Sequence, residues 1–325
     1  MRRVLILGGT AWLGKEIARA ALADGAEVVC LARGDSGDVP DGATLVVADR
    51  SQPDAYEGLL GDWDEVVEIS YEPDFVRSAL DALAGRAKHW TLISSCSVYL
   101  RNDEPGADES AELVSPDNLT NYADAKALAE KLSISRLGEK LLIARPGLIA
   151  GPGDGSDRFG YWPARLALGG RVLIPVVDQR FVQVVDIEDL AIWVIEAGRL
   201  KVSGIMNVVG HVYSFAEFLA EVARVTNFSG DFVSVDDTWL LENRVNYWAG
   251  PHSLTLWLPL VDTAFTQRSN ARYLAHGGRI RDLSETIRRV LGDEQSRGLN
   301  RERRSGLSLV EEAILLEKLQ HRSVE

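Results

Sequence analysis

The sequence predicts an α/β protein built on a doubly wound parallel sheet. Its first half alternates short apolar runs with helical patterns, the order that right-handed strand–helix–strand crossovers require. The apolar runs are rich in Val, Ile and Leu without strict apolar–polar alternation, which is typical of strands covered on both faces. The six predicted strands are VLIL (4–7), EVVCLA (27–32), TLVVA (44–48), EVVEIS (65–70), HWTLIS (89–94) and KLLIAR (140–145).

Helical segments fill the intervals between these strands. We expect one helix from Lys15 to Asp24, with Gly25 as its C-cap, and another over 73–85. Ser51 is expected to cap a further short helix. Helices in these intervals would cover both faces of the sheet.

Near residue 150 the regular alternation of strand and helix patterns ends. This change predicts a second, smaller and mostly helical domain that binds substrate or acts as a lid. The patterns at 180–198 and 204–210 read as elements that return to the sheet, and Ser214 is expected to cap a later helix. The expected boundaries are 1–150 for the first domain, rejoined by about 172–210, and 151–171 with 211–325 for the second.

Composition favours a cytoplasmic globular protein without a nucleic acid or membrane partner. Hydrophobic residues make up 46% of the 325 residues, charged residues 26%, and the net charge of −13 would repel a phosphate backbone. The arginines at 301, 303 and 304 read as a solvated helix face. The apolar N-terminal run is too short for a signal peptide or a membrane span.

The cysteine and histidine patterns indicate no metal site. Cys30 and Cys96 fall in apolar runs, without metal-ligand spacing, and are expected to be buried thiols. His211 and His252 are isolated in the sequence. Neither has the neighbouring ligands that a zinc site needs.

A glycine-rich turn follows the first predicted strand and opens the first helix. In LGGTAWLG, Gly8, Ala11 and Gly14 recur at three-residue intervals, so the first allows a tight turn and the last close helix–strand packing. The N–H groups of the helix N-terminus would then face a pyrophosphate. This predicts a Rossmann-type site for NAD(P), with candidate contacts at Gly8, Thr10, Ala11, Trp12, Leu13 and Gly14.

The end of the second strand predicts which dinucleotide is preferred. An acidic residue there would bind a ribose 2′-hydroxyl, but this sequence has Arg33, whose planar fork suits a 2′-phosphate. We therefore expect NADP(H) to be preferred, with NAD(H) still possible. Asp49 and Arg50, after the third strand, either contact the adenine or form a surface ion pair.

A Tyr-x-x-x-Lys pattern predicts acid–base chemistry. Tyr122 and Lys126 lie four residues apart in a helical sequence, so both side chains emerge from one face. A nearby ammonium would lower the pKa of the phenol, which could then exchange a proton with a substrate oxygen while hydride moves. Ser95, at the end of the fifth strand, could hydrogen-bond the same oxygen.

These motifs together resemble the extended short-chain dehydrogenases/reductases of the NAD-dependent epimerase/dehydratase group, most closely their atypical branch. The resemblance covers GGTAWLG, SSCSVY, YADAK, RPGLIAGPGD and RFVQVVDIEDLA, and so most of the chain. It implies that Tyr122 is the general acid/base, that Lys126 binds the nicotinamide ribose, and that Ser95 is the catalytic serine. It also implies cofactor contacts from Ser70 and from Pro146 to Leu148.

Three positions depart from the family's pattern and bear on the reaction. Ala11 replaces the middle glycine of the turn, Leu148 replaces a sugar-diphosphate-binding asparagine, and Cys96 stands where dehydratases have an acid. These departures favour an NADPH-dependent ketoreductase. Late tryptophans such as Trp162 and Trp257 either line an apolar pocket for an apolar or aromatic carbonyl substrate or pack in a core.

Two other functions stay open. One is a nucleotide-sugar epimerase or dehydratase that retains NAD through turnover. The other is a non-catalytic NADP-binding protein with an RNA-binding or regulatory role, which the intact Ser95, Tyr122 and Lys126 set and the net charge argue against. The sequence leaves a monomer and a homodimer equally open.

Overall fold

The computed structural model describes residues 1–322, which contain fourteen strands and ten α-helices. The strands are β1 (Arg3–Leu7), β2 (Glu27–Ala32), β3 (Thr44–Val47), β4 (Glu65–Glu68), β5 (Trp90–Ile93), β6 (Leu141–Pro146), β7 (Leu148–Ala150), β8 (Gly170–Pro175), β9 (Phe181–Asp186), β10 (Gly204–Val208), β11 (Val212–Ser214), β12 (Gly230–Val235), β13 (Asn246–Trp248) and β14 (Ser253–Thr255). The helices are α1 (Trp12–Ala23), α2 (Pro73–Leu83), α3 (Tyr122–Leu137), α4 (Tyr161–Ala167), α5 (Ile187–Leu200), α6 (Phe215–Thr226), α7 (Asp237–Glu242), α8 (Ala271–Ala275), α9 (Leu283–Arg297) and α10 (Leu309–Arg322).

A seven-stranded parallel sheet, built from six strands of the first half of the chain and from β10, confirms the predicted fold class. Its strand order is β10-β6-β5-β4-β1-β2-β3, and every neighbouring pair is parallel. All six predicted strands belong to it. The order reverses between β1 and β4, and ligands of such sheets bind in the crevice at the carboxyl ends of the strands beside this reversal.

Helices with buried apolar residues cover both faces of this sheet. Helices α1 and α5 pack together over one face, where Ile17 and Val194 join the buried core of the strands. Helices α2 and α3 cover the other face, where Val76 and Ala129 are buried. Because both faces are covered, the strands carry apolar residues without alternation, as the sequence indicated.

Three local predictions have different outcomes. Ser214 caps α6 through a capping box with Glu217, as predicted. The segment after Ser51 forms turns rather than a helix, so that prediction is wrong. Strand β10 joins the seven-stranded sheet beside β6, whereas β9 pairs antiparallel with β11 in a separate sheet. The strand pattern of β9 was correct, but it does not specify a pairing partner.

The described residues divide into two compact units. The first contains Met1–Ile149, Val185–Gly210 and Arg268–Ile280, and the second contains Ala150–Val184, His211–Gln267 and the chain from Arg281 onward. In the second unit Trp162 and Trp257 are fully buried, so they pack in its core and do not line a pocket.

Two of the C-terminal arginines, Arg301 and Arg303, join a buried ionic network of the second unit, whereas Arg304 is exposed. Arg301 contacts the carboxylates of Asp157 and Glu294, and Arg303 contacts Glu294, while the main-chain N–H of Arg304 donates to Asp157. All three follow the end of α9, so the prediction of a solvated helix face is wrong. The two carboxylates are almost wholly buried, which requires such partners.

Candidate cofactor and catalytic site

The turn between β1 and α1 has the geometry of a nucleotide-binding loop. Gly8 has a φ of +110°, a conformation that favours glycine, and its N–H donates to the carbonyl of Leu31 at 3.0 Å. A Cβ on Gly14 would lie 2.2 Å from the carbonyl oxygen of Gly8. Gly14 therefore allows α1 to approach the turn closely, as the sequence predicted.

A second glycine of the turn was missed by the sequence analysis. A Cβ on Gly9 would lie 2.3 Å from Sγ of Cys30 in β2, so only glycine fits between the turn and that strand. Cys30 is fully buried, and its burial raises the pKa of the thiol to about 12. A thiol at the facing position of β2 is the partner that makes Gly9 necessary.

The start of α1 fits a dinucleotide pyrophosphate. Ala11 is the N-cap, with extended backbone, and within the described chain no side chain caps this helix. The positive end of the helix therefore faces outward at the carboxyl edge of β1, with Trp12 and Leu13 half-buried in the first turn and Thr10 buried. Ala11 itself is exposed.

Arg33 and Asp49 lie together at the carboxyl edge of the sheet. Arg33 directly follows β2, is largely exposed, and pairs with Asp35 at 3.1 Å. Main-chain and side-chain hydrogen bonds from Ser51 lower the pKa of Asp49, and the charge of Arg33 lowers it further. This arrangement leaves Arg33 accessible for a phosphate, while Asp49 offers an exposed carboxylate.

Arg50 is engaged in a buried ion pair and not in a surface one. Its guanidinium contacts the carboxylate of Glu68 with two nitrogens, Tyr56 Oη at 3.0 Å and the carbonyl of Phe75 at 2.7 Å. Glu68 is the last residue of β4 and is fully buried. The direct adenine contact expected of Arg50 stays a prediction, and its described contacts stabilise the end of β4.

Glu68 is a site residue that sequence reasoning missed. Its Oε1 accepts from the N–H of Ser70 at 2.8 Å, which fixes the backbone where β4 ends. The available signal was a carboxylate inside the apolar run EVVEIS, because a buried charge needs a partner. The long distance in sequence to Arg50 hid that partner.

Lys126 is buried at the carboxyl edge of the sheet, where it joins two strands. Its Nζ donates to the carbonyls of Ile69 and Ser70, each at 3.1 Å, and of Ile93 at 2.5 Å. Only 3% of the residue is exposed, and this burial lowers the pKa of Lys126 to about 8, although Glu68 and Glu130 act in the opposite direction. The ammonium therefore lies beside the ends of β4 and β5.

Tyr122 is the first residue of α3 and is 45% exposed. The cap of this helix is Asn121, whose side chain accepts from the next N–H groups and fixes where the helix starts. The Tyr122 ring centroid lies 6.0 Å from Nζ of Lys126. It also lies 5.4 Å from the ring of Tyr71, edge to face. The predicted Tyr–Lys pair is thus adjacent, with the phenol near solvent and the ammonium buried.

Ser95 lies at the end of β5 and caps a short turn. Its Oγ accepts from the N–H of Ser97 and donates to Ser97 Oγ, both at 3.1 Å. The described contacts of Ser95 do not include Tyr122 or Lys126, although Ile93, which binds Lys126, lies two residues before it. Cys96 is fully buried, and its burial raises the pKa of the thiol to about 12, so it is no acid at neutral pH.

A buried polar network lies beneath this site. Glu130 Oε1 and Oε2 accept from Arg145 at 2.9 and 2.6 Å, and Glu130 also accepts from Ser94 at 2.5 Å. Tyr99 Oη accepts from Arg145 at 2.9 Å and donates to Asn207 at 2.5 Å. Burial raises the pKa of Tyr99 to about 12. Tyr99 is therefore a structural phenol and a poor alternative to Tyr122.

The remaining predicted contacts are apolar or main-chain groups. Pro146 ends β6 and is buried, and Leu148 in β7 is 2% exposed. Ser70 presents its carbonyl to Lys126, and its Oγ accepts from the N–H of Glu72 at 3.0 Å. In the part of the chain that the structure describes, no group of three His, Cys, Asp or Glu residues could hold a metal ion. Nor is any described helix long and apolar enough to cross a membrane.

The fold and the turn define a dinucleotide-binding protein of the doubly wound α/β class. The family model described as "NAD dependent epimerase/dehydratase family" matches residues 4–210, well over half of the chain. The chain belongs to this family, whose members are NAD(P)-dependent enzymes. No curated protein matches the chain in sequence.

Solved structures share the fold over nearly their whole length. UDP-N-acetylglucosamine 4-epimerase from Bacillus cereus is 16% identical with a TM-score of 0.69, over 93% of this chain and 99% of that one. RMD from Pseudomonas aeruginosa, complexed with NADPH, is 19% identical with a TM-score of 0.64, over 92% and 100%. UDP-glucose 4-epimerase from Thermus thermophilus, complexed with NAD, is 18% identical with a TM-score of 0.64, over 90% and 99%. At these identities the likeness establishes the fold.

Proposed function

We propose that this protein is an NAD(P)-dependent oxidoreductase that acts on a secondary alcohol or its ketone, with Tyr122 as the proton donor and acceptor. The observation that carries the proposal is the Tyr122–Lys126 pair on the first turns of α3. An accessible phenol lies 6.0 Å, ring centroid to Nζ, from a buried ammonium that is bound to the ends of β4 and β5. This edge of the sheet also carries the glycine-rich turn.

The chain's own residues have distinct tasks in this reaction. Bound nicotinamide supplies or accepts the hydride. Tyr122 Oη exchanges a proton with the substrate oxygen, and the Lys126 ammonium favours the phenolate form by its charge. Ser95 Oγ can donate to the same oxygen instead of to Ser97 Oγ, while it still accepts from the N–H of Ser97. Glu68 and Glu130 favour the charged form of Lys126.

In the first candidate function the substrate is a nucleotide sugar. The reaction is then epimerisation or dehydration, and the cofactor is retained. Membership of the epimerase/dehydratase family supports this choice, as do the solved nucleotide-sugar epimerases that share the fold. Neither epimerisation nor dehydration changes the overall oxidation state of the substrate. The absorbance of the reduced nicotinamide then shows no net change.

An NADPH-dependent ketoreductase is the second candidate, and two buried side chains favour it. Leu148 offers no polar group to a sugar diphosphate, and Cys96 is a buried neutral thiol where a dehydratase needs an acid. The burial of Trp162 and Trp257 weakens the sequence-based reason for an aromatic substrate. The ketone class therefore remains open in this candidate.

One experiment separates these candidates. The purified protein is incubated with UDP-sugars and, separately, with NADPH and a panel of ketones, and products are followed by proton NMR and by absorbance at the nicotinamide band. A new sugar epimer without net cofactor change supports the first candidate, and stoichiometric NADPH consumption supports the second. Binding of NAD(P) without either product would overturn both and support a non-catalytic nucleotide-binding protein.

Cofactor preference is proposed to depend on Arg33. We expect Arg33→Ala to weaken NADPH binding about tenfold, equivalent to about 1.4 kcal/mol, with little effect on NADH. The physical reason is the loss of a charged, bidentate donor for the 2′-phosphate. Fluorescence titration of both cofactors gives the ratio of dissociation constants.

The chain offers a matched control for this substitution. Arg101 is equally exposed and pairs with Asp103 two residues later at 2.8 Å, as Arg33 pairs with Asp35. Arg101→Ala should therefore leave the NADPH/NADH ratio unchanged. Tighter binding of NADH by the wild-type protein, or an unchanged ratio in Arg33→Ala, would contradict the assignment.

A further inference from the structure

We propose that Tyr71 is a positioning residue that holds the ring of Tyr122 in place, an inference that rests on the proposed function of Tyr122. Tyr71 follows β4 and is 47% exposed, although large aromatic side chains are usually covered. Its ring meets that of Tyr122 with centroids 5.4 Å apart and an interplanar angle of 63°. This edge-to-face arrangement is one that aromatic pairs prefer.

The backbone on both sides of Tyr71 is anchored. The N–H of Ser70 donates to Glu68, and the N–H of Glu72 donates to Ser70 Oγ. Lys126 donates to the carbonyls of Ile69 and Ser70 immediately before Tyr71. Lys126, one helical turn beyond Tyr122, therefore fixes the segment 69–72 to α3. Because its backbone is held in this way, Tyr71 can restrict the position of the Tyr122 ring.

Tyr122 needs such a support because of its place in α3. It is the first helical residue, it is nearly half exposed, and no preceding helical turn packs against its ring. The ring of Tyr71 restricts the directions in which the phenol can point. Proton transfer requires the hydroxyl within hydrogen-bond reach of the substrate oxygen, and a misplacement of about 1 Å can cost roughly a hundredfold in rate.

Two substitutions separate positioning from a merely structural role. Tyr71→Ala removes the ring, and we expect kcat to fall about tenfold or more while the dissociation constant of the cofactor changes less than about twofold. Tyr71→Phe retains the ring, so this variant is expected to keep nearly all of the wild-type kcat. Leu60→Ala trims another exposed apolar side chain of the first unit and serves as the control.

A second measurement needs no activity. The protein is labelled with 3-fluorotyrosine, and the Tyr122 signal in the ¹⁹F NMR spectrum is assigned by its loss in Tyr122→Phe. We expect this signal to shift and narrow in Tyr71→Ala, because the neighbouring ring current is lost and the phenol moves more freely. In Tyr71→Phe and Leu60→Ala the signal should stay close to its wild-type position.

The outcomes distinguish this inference from the proposed function. An unchanged Tyr122 signal, or full kcat in Tyr71→Ala, would overturn the positioning role. So would an equal loss of kcat in Tyr71→Phe and Tyr71→Ala, because the ring alone would then not suffice. If Tyr122→Phe keeps full activity, the proposed function of Tyr122 fails, and the positioning role in catalysis fails with it even where the ¹⁹F signal reports the ring contact.

Discussion

Tyr122→Phe is expected to reduce turnover by roughly a hundredfold to ten-thousandfold, the range that general acid–base groups contribute. The substitution removes only the hydroxyl, so the ring keeps its contact with Tyr71 and its place near Lys126. The glycine-rich turn, Arg33 and Lys126 are unaffected, and cofactor affinity should change less than about twofold. Steady-state kinetics on the substrate found by the product assay, with cofactor titration alongside, measure both quantities.

Tyr99→Phe is the matched control for this experiment. Tyr99 is also a tyrosine near the end of β5, but its hydroxyl is buried between Arg145 and Asn207. Its removal should lower thermal stability, because two buried polar groups lose a partner. Turnover per folded molecule should persist. If Tyr122→Phe were fully active and Tyr99→Phe inactive, the assignment of the proton donor would be wrong.

The sequence was sufficient for the central sheet because its signals are local. Most strands of the sheet are short, mainly apolar runs bounded by polar or turn residues, and burial on both faces produces that pattern directly. The segment 181–186 has the same pattern, yet β9 pairs with β11 outside this sheet. Strand patterns report burial, and pairing depends on contacts between segments far apart in the chain.

The same distinction separates the site residues. Tyr122 and Lys126 could be predicted because four residues along a helix place two side chains on one face. Gly8 and Gly14 likewise follow from their spacing. Glu68 could not be paired with Arg50 in advance, because the pair forms only when the segment after β3 reaches the end of β4, although β1 and β2 lie between these two strands.

The contact of Tyr71 with Tyr122 depends on tertiary structure in the same way. The two residues are far apart in sequence and meet only after β4 and α3 have taken their places. For the same reason, the tryptophans after residue 150 could not show whether the substrate is aromatic. Fully buried tryptophans and pocket-lining tryptophans look the same in sequence, and only the packing of the second unit distinguishes them.

Lys126→Met is expected to remove a rise in stability between about pH 8 and pH 10.5. The pKa of Lys126 is about 8 in the folded protein, against an ordinary value of 10.5. Below about pH 8 the lysine is charged in both states, and the cost of burying that charge is present in full. Between the two pKa values the folded state has lost the proton and the unfolded state still binds it, so stability increases with pH.

The size of this effect follows from the shift. The difference between the two pKa values corresponds to about 3 kcal/mol, as an order of magnitude, which is gained across the window. The buried thiols of Cys30 and Cys96, with raised pKa values, act in the opposite sense because they ionise only in the unfolded state near pH 9. They are common to wild type and variant, so their contribution cancels in the difference.

The measurement is urea unfolding of wild type and Lys126→Met at several pH values, with the free energy of unfolding compared at each. From pH 8 to pH 10.5, the free energy of unfolding of the wild type should rise relative to that of the variant. Lys88→Met is the control, because the pKa of Lys88 is raised by its hydrogen bond to Asp64 and its contribution declines at high pH. A pH-independent difference between wild type and Lys126→Met would mean that Lys126 keeps an ordinary pKa. The lysine would then be no different electrostatically from a surface residue, and its influence on the Tyr122 phenol would have to arise from position alone.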